Sequence, residues 1–191
     1  TPYIYQGEEL GMTNALYDIS DYRDIETLHI YRDRLAEGYA EKDVMRSIHA
    51  KGRDNARTPM QWDSSKNAGF TVGEPWLKVN PNYLQINAAE ECNTADSVFA
   101  YYKALIDLRK KYPTFAEGDY QLLMGDDPDV FAYKRTWKEQ VLCVICNFHA
   151  KELNKVIPEE YRKGTLLISN YAEQGSSLKP YEARIYLEQR N

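Results

Sequence analysis

Any chemistry in this chain has to come from its carboxylates, its scattered histidines or a pair of closely spaced thiols. Glu8 and Glu9 follow the apolar opening run Pro2-Tyr3-Ile4-Tyr5, at the end of a strand where a parallel sheet delivers catalytic groups. Two carboxyl groups about 5 to 5.5 Å apart can flank one glycosidic bond, one as nucleophile and one as acid. Neighbours on an extended chain point to opposite sides, so Glu8 and Glu9 cannot share one bond. A polar strand end with a carboxylate bound to loop backbone is the reading they favour. Cys143 and Cys146 have the spacing of a metal or redox pair, yet they sit in Val141-Leu142-Cys143-Val144-Ile145-Cys146, which reads as a buried strand. Residues three apart on a strand face opposite ways, and no second pair or suitably spaced histidine follows, which sets zinc and redox chemistry aside. His29, His49 and His149 are scattered, and neither a Gly-rich phosphate loop nor a Gly-x-Ser-x-Gly turn is present. Sixteen tyrosines and three tryptophans suit a sugar-binding surface, because a ring stacks on a pyranose while its polar tip stays hydrated. Core filling accounts for any single one of them equally well.

The composition narrows the classes. The chain has 191 residues, 43% hydrophobic and 28% charged, enough for one domain or for one domain and part of another. A formal net charge of -5 repels phosphate backbones and anionic lipid, so no nucleic-acid or membrane partner is expected. No apolar run approaches the roughly 18 to 20 residues of a membrane helix. Three cysteines are an odd count for a disulfide framework, and buried free thiols fit a reducing compartment, so a cytoplasmic location is expected. The chain opens at Thr1 directly on a strand, with nothing before it to pair or cover that strand. It is therefore expected to be a fragment, and the lack of a signal peptide carries no information.

The elements that would position these groups follow from periodicity and breakers. After the opening strand, Gly11, Asn14, Asp18, Ser20, Asp21 and Asp24 predict a loop over residues 10–24. Helices are predicted over about 26–37, with Leu28, Tyr31 and Leu35 on one face, and over about 41–50, with Val44, Met45 and Ile48 on one face. Gly38 separates them, and Gly52 is expected as a left-handed cap. Residues 53–93 are rich in turn formers and aromatics and predict a long ordered loop without helix, of the kind that shapes a site. The clearest helix covers about 96–111, carrying Val98, Tyr101, Tyr102, Leu105 and Leu108 on its apolar face, basic residues in its last turn and Pro113 as a stop. Beyond Gly118 the period becomes strand-like, with strands near 120–124, 130–135, 141–148, 166–170 and 183–187. That half reads as a small antiparallel sandwich, with a boundary near residue 116.

Two stretches carry a specific resemblance. One is Thr1 to Asn14, containing Gln6-Gly7-Glu8-Glu9-Leu10-Gly11-Met12. The other is Gly52-Arg53-Asp54-Asn55-Ala56-Arg57-Thr58-Pro59-Met60-Gln61-Trp62-Asp63. Both closely resemble the C-terminal part of the oligo-1,6-glucosidases, within the α-amylase-like (β/α)8 glycosidases. Asp21 to Leu28, Asn67 to Phe70, Val79 to Tyr83 and Leu178 to Ala183 match in the same order, so the resemblance spans nearly the whole chain.

The resemblance implies an α+β fragment: the last strand and helices of a (β/α)8 barrel, then a C-terminal antiparallel β-sandwich domain. Thr1 to Gly7 would be the eighth barrel strand, residues 1–116 the end of the barrel with its excursion, and residues 117–191 the C-terminal domain. In this family the aspartate nucleophile, the glutamate acid/base and a second aspartate all precede the position of Thr1. The chain alone is thus expected to be inactive, with no catalytic residue and no metal ligand of its own. No organic cofactor is implied, and the structural calcium of some members would lie outside this chain. Arg53 matches the arginine that helps hold the non-reducing-end glucose, where a guanidinium fork can grip vicinal hydroxyls. The alternative for Arg53 is a loop-stabilising pair with Asp54, and Arg57 is read as structural. Glu26 matches a glutamate that contacts the next sugar, with a first-turn role in the following helix as its alternative.

For the intact protein this means hydrolysis of terminal α-1,6-glucosidic links in isomalto-oligosaccharides by retaining double displacement. Trehalose-6-phosphate hydrolase, dextran glucosidase and sucrose isomerase resemble this region nearly as well. A non-catalytic glucosidase-like subunit is the alternative from another class. The oligosaccharide is the expected partner, and the chain alone is expected to associate with itself or to swap segments, because barrel elements normally lie covered.

Overall fold

The computed structural model describes residues 2–155 and 157–190, and the expectation for Thr1 lies outside them. The chain divides into two compact units, residues 2–102 and residues 103 onward.

The first unit is held by two helices, α1 (Ile25–Ala36) and α2 (Glu41–Lys51). Val44 and Ile48 of α2 bury against Ala15, Tyr17 and Tyr22, and Ile19, Tyr31, Leu35 and Met45 close this cluster. The predicted face of α2 is therefore the one used. On α1, Tyr31 and Leu35 pack inward while Leu28 stays partly exposed. Burying side chains of this size contributes roughly 1.5 to 3 kcal/mol each.

The opening strand does not form. Pro2–Tyr5 pair with no strand, and Tyr3, Ile4 and Tyr5 are exposed. A strand exists only where a neighbour satisfies its N–H and C=O groups, and every strand pairing among the described residues is antiparallel and lies beyond residue 118. Glu8–Leu10 instead form a turn of 3-10 helix. The Tyr5 N–H donates to Glu8 Oε2 at 3.0 Å and the Gly7 N–H to Glu9 Oε2 at 2.8 Å, so both carboxylates bind backbone.

Gly52 is not a left-handed cap. Its φ is -61°, and its N–H closes α2 on the Ile48 carbonyl at 2.7 Å. A Cβ there would lie 2.8 Å from that same carbonyl oxygen, so close approach, and not handedness, calls for glycine. The left-handed residue is Gly38, with φ 88°. The stretch 53–93 also holds a short helix that its composition hid, α3 (Ala88–Asn93). Asn87 caps it by accepting the Glu90 N–H at 3.0 Å. Helix α4 (Val98–Lys111) follows, with Arg109, Lys110 and Lys111 in its last turn.

The second unit contains α5 (Thr114–Glu117) and one antiparallel sheet of β1 (Asp119–Leu123), β2 (Val130–Trp137), β3 (Gln140–Asn147), β4 (Thr165–Ser169) and β5 (Ala183–Gln189). The order is β1-β2-β3-β5-β4. β3 is covered on both faces, as its unbroken apolar run requires. Val141, Cys143 and Ile145 pack with Leu153, Ile157 and Leu178 on one face. Leu142, Val144 and Cys146 pack with Leu105 and Phe115 on the other. The two thiols thus face opposite ways, as their spacing demands.

The sandwich expected here is a single sheet among the described residues. Its second layer is irregular chain, tied by one isolated bridge between Leu153 and Leu178. A buried fork fixes that layer: Arg184 Nε donates to Glu182 Oε1 at 2.7 Å and Nη2 to Glu182 Oε2 at 2.9 Å, while Nη1 reaches the Gly175 carbonyl at 2.8 Å. Bidentate geometry and added backbone acceptors are what allow such a pair to be buried.

Candidate functional site

The matched residues come together where α1 begins and the five-residue 3-10 turn Arg53–Arg57 follows α2. Asp54 is fully buried and acts as the hub. Its Oδ2 accepts the N–H groups of Arg23 at 2.7 Å and Asp24 at 2.9 Å, and its Oδ1 accepts Arg57 Nη2 at 2.7 Å. These bonds fix the approach to α1.

Asp24 then caps α1. Its Oδ2 accepts the Thr27 N–H at 3.0 Å and the Thr27 hydroxyl at 2.8 Å, the favoured arrangement for a helix start. Its Oδ1 receives both arginines, Arg53 Nη2 at 2.8 Å and Arg57 Nη2 at 3.1 Å. Burial acts to raise the Asp24 pKa, but the hydrogen bonds from Thr27, Arg53 and Arg57 together outweigh it and hold the carboxyl at about 2. Arg53 Nη2 also meets Glu26 Oε2 at 2.9 Å.

The five side chains of this cluster carry two positive and three negative charges. They differ sharply in exposure: Asp24 and Asp54 are buried, whereas the Arg53 and Glu26 side chains are 62% and 63% exposed. A buried carboxylate scaffold therefore presents a guanidinium and a carboxylate to the outside. Such a pair can exchange its mutual contact for hydroxyl groups, the guanidinium as donor and the carboxylate as acceptor. Arg53 also lines a cleft of about 480 Å³, together with Tyr5, Gln6, Glu8, Lys51 and Asn55.

The structure thus brings Arg53 and Glu26 together, although 26 residues, the rest of α1, the turn after it and α2, lie between them in the sequence. The alternative considered for Arg53, a pair with Asp54, does not form: Asp54 takes Arg57, and Arg53 takes Asp24 and Glu26. Asp24 is the residue that sequence reasoning missed, reading it as a loop breaker. The spacing Asp24-x-x-Thr27 ahead of a helical stretch was the available signal, because aspartate is a strong cap. Glu8 and Glu9 are occupied with local backbone and take no part in the cluster. His29, His49 and His149 are likewise outside it; His49 Nε2 contacts the Tyr17 carbonyl oxygen at 2.9 Å. Among the described residues no group of histidine, cysteine, aspartate and glutamate is arranged to hold a metal ion.

Comparison with known proteins decides the family. The alpha-amylase profile, described as the alpha amylase catalytic domain, matches residues 1–118. The chain belongs to the alpha-amylase family. Within that family it is 50% identical, over 98% of its length, to an oligo-1,6-glucosidase of Halalkalibacterium halodurans. It is 44% identical, over 97% of its length, to the trehalose-6-phosphate hydrolase of Bacillus subtilis. It covers 35% of each of these two relatives, so it spans about a third of the length of the alpha-amylase family members it matches. Among solved structures of the family, it superposes on the trehalose-6-phosphate hydrolase of Bacillus licheniformis with a TM-score of 0.92 at 44% identity, covering 100% of this chain and 36% of that one. The isomaltulose synthase of Klebsiella sp. LX3 gives 0.87 at 36% identity, covering 98% of this chain and 35% of that one.

Proposed function

We propose that this chain is the C-terminal third of a retaining α-glucosidase that hydrolyses terminal α-1,6-glucosidic links of isomalto-oligosaccharides. The observation that carries this reading is the 50% identity to an oligo-1,6-glucosidase over 98% of the chain. The geometry supports it, since the two residues matched to substrate contacts are paired at 2.9 Å with both side chains largely open. Arg53 grips vicinal hydroxyls of the non-reducing-end glucose, and Glu26 accepts hydroxyls of the next sugar, on the leaving side. Residues 1–116 complete a (β/α)8 barrel and residues 117–191 form the C-terminal domain. Double displacement then uses carboxyl groups supplied by the rest of the protein, so the 191 residues alone do not turn over substrate.

A second reading, trehalose-6-phosphate hydrolase, is favoured by the TM-score of 0.92 to that enzyme. Rates on isomaltose, sucrose and trehalose 6-phosphate, measured with full-length protein carrying this chain, separate the readings. Fastest turnover of isomaltose supports the first, and fastest turnover of the phosphorylated sugar overturns it. The free thiols, with only Cys92 exposed, support a cytoplasmic setting. No described helix is long and apolar enough to cross a membrane. Exposed Ile25, Leu28 and Ile30 on α1 lead the isolated chain to self-associate, which sedimentation at high dilution tests; a monomer contradicts it.

A further inference from the structure

One large aromatic side chain lies against Arg57 and belongs to no hydrophobic cluster among the described residues. Trp76 is 63% exposed, although the segment that carries it is pinned. Leu77 is buried next to it. The Tyr17 hydroxyl donates to the Lys78 carbonyl, and the Lys78 ammonium holds Asp21 at 2.6 Å. Asn80 Nδ2 donates to the Thr13 carbonyl at 3.0 Å. Pro75 removes further backbone freedom on the other side. An indole held out on so constrained a segment costs little ordering entropy when a ligand lands on it.

Its location is set by Arg57, whose guanidinium carbon lies 5.8 Å from the Trp76 ring centroid. Arg57 is anchored on the buried Asp54 and shares the Asp24 Oδ1 atom with Arg53. Trp76 is therefore linked through Arg57 and the shared Asp24 carboxylate to the exposed Arg53 guanidinium, which in turn meets Glu26. The combination of a fixed ring face, an acceptor carboxylate and a donor guanidinium matches a pyranose, with apolar C–H faces and equatorial hydroxyls at the rim.

We propose that Trp76 is the stacking platform for the leaving-side sugar, with Glu26 taking that sugar's hydroxyls and Arg53 the terminal glucose. This rests on the glucosidase reading above and names the residue that gives its leaving-side site an apolar face. Arg57 holds the ring in place and does not itself touch the sugar.

The test compares two substrates that share the terminal glucose and differ in the leaving group: isomaltose, which has a leaving sugar, and α-glucosyl fluoride, which has none. Full-length wild-type protein, Trp76→Ala and Trp76→Phe are assayed on both. Trp76→Ala is expected to raise KM for isomaltose about tenfold, or ~1.4 kcal/mol, with kcat unchanged, the signature of lost uniform binding. Its constants for α-glucosyl fluoride stay at wild-type values, and Trp76→Phe recovers most of the loss on isomaltose. Equal losses on both substrates assign Trp76 a merely structural role and overturn the proposal, as does an unchanged KM for isomaltose. Wild-type protein that releases no fluoride from α-glucosyl fluoride contradicts the glucosidase reading itself, and the proposal falls with it.

Discussion

Replacing Asp54 by alanine removes the hub of the cluster without touching the exposed residues. In the native protein its two oxygens accept two backbone N–H groups at 2.7 and 2.9 Å and one guanidinium at 2.7 Å, and the residue is completely buried. Alanine leaves the Arg23 and Asp24 amides without acceptors, each costing roughly 1 to 3 kcal/mol when water cannot reach it. It also leaves Arg57 with Asp24 as its remaining carboxylate, and breaking a buried ion pair costs about 3 to 5 kcal/mol. Because Arg57 is partly exposed and water relieves some of this, a total near 3 kcal/mol is expected. With a urea m-value of about 2 kcal/mol/M, the unfolding midpoint falls by roughly 1.5 M. Hydrogen exchange at the Arg23 and Asp24 amides accelerates beyond the global change. In the double variant with Arg57→Ala, the losses add to less than their sum by about 1 kcal/mol or more. A midpoint shift below about 0.5 M, or unaltered exchange at those two amides, refutes the account of Asp54 as the hub.

Acid should erode the same cluster. The folded-state pKa of Asp24, about 2, lies below its ordinary 3.8, so its contribution of roughly 2 kcal/mol is complete above pH 4, declines as pH falls from there toward 2, and is absent in Asp24→Asn; urea midpoints across that range report it. Glu182→Ala strands the buried Arg184 guanidinium and is expected to cost about 3 to 5 kcal/mol by urea unfolding, whereas the double change Glu182→Gln with Arg184→Met costs less than the single one. A thiol reagent is expected to modify the exposed Cys92 first, while Cys143 and Cys146 react only on unfolding; burial pushes the Cys146 thiol up to about 11 and leaves almost no thiolate at neutral pH. Mass spectrometry of partially labelled protein shows which thiol leads.

Much of the fold was legible because strong patterns leave few alternatives. The six-residue apolar run of β3 could only be a strand covered on both sides, and Cys143 and Cys146 had to face apart. What alternation cannot tell is the nature of the cover. One face of β3 meets helix and the other irregular chain, where a second sheet was expected, because burial is read from sequence and the covering element is not. Pro2–Tyr5 carried the residue types of a strand, but a strand also needs a pairing neighbour, and that is a property of the whole assembly. Helix α3 was hidden because its six residues are too few to show a period, leaving only the Asn87 cap as a sign. At the site, Arg53 and Glu26 were reached by resemblance. The buried carboxylates that fix Arg53 and Arg57 were not, because hydrogen bonds between residues some 30 positions apart leave no local mark beyond the cap at Asp24.

The most direct measurement is hydrolysis of isomaltose by full-length protein with and without Arg53. Removing this largely exposed side chain leaves Asp24 bonded to Thr27 and Arg57, so the urea midpoint should hold. A charged hydrogen bond to substrate is worth about 1.5 to 3 kcal/mol. The wild type is therefore expected to cleave isomaltose in preference to sucrose and trehalose 6-phosphate, and Arg53→Ala to lose roughly 10- to 100-fold in kcat/KM. An Arg53→Ala protein that cleaves isomaltose as well as the wild type would contradict the assignment of this cluster to substrate.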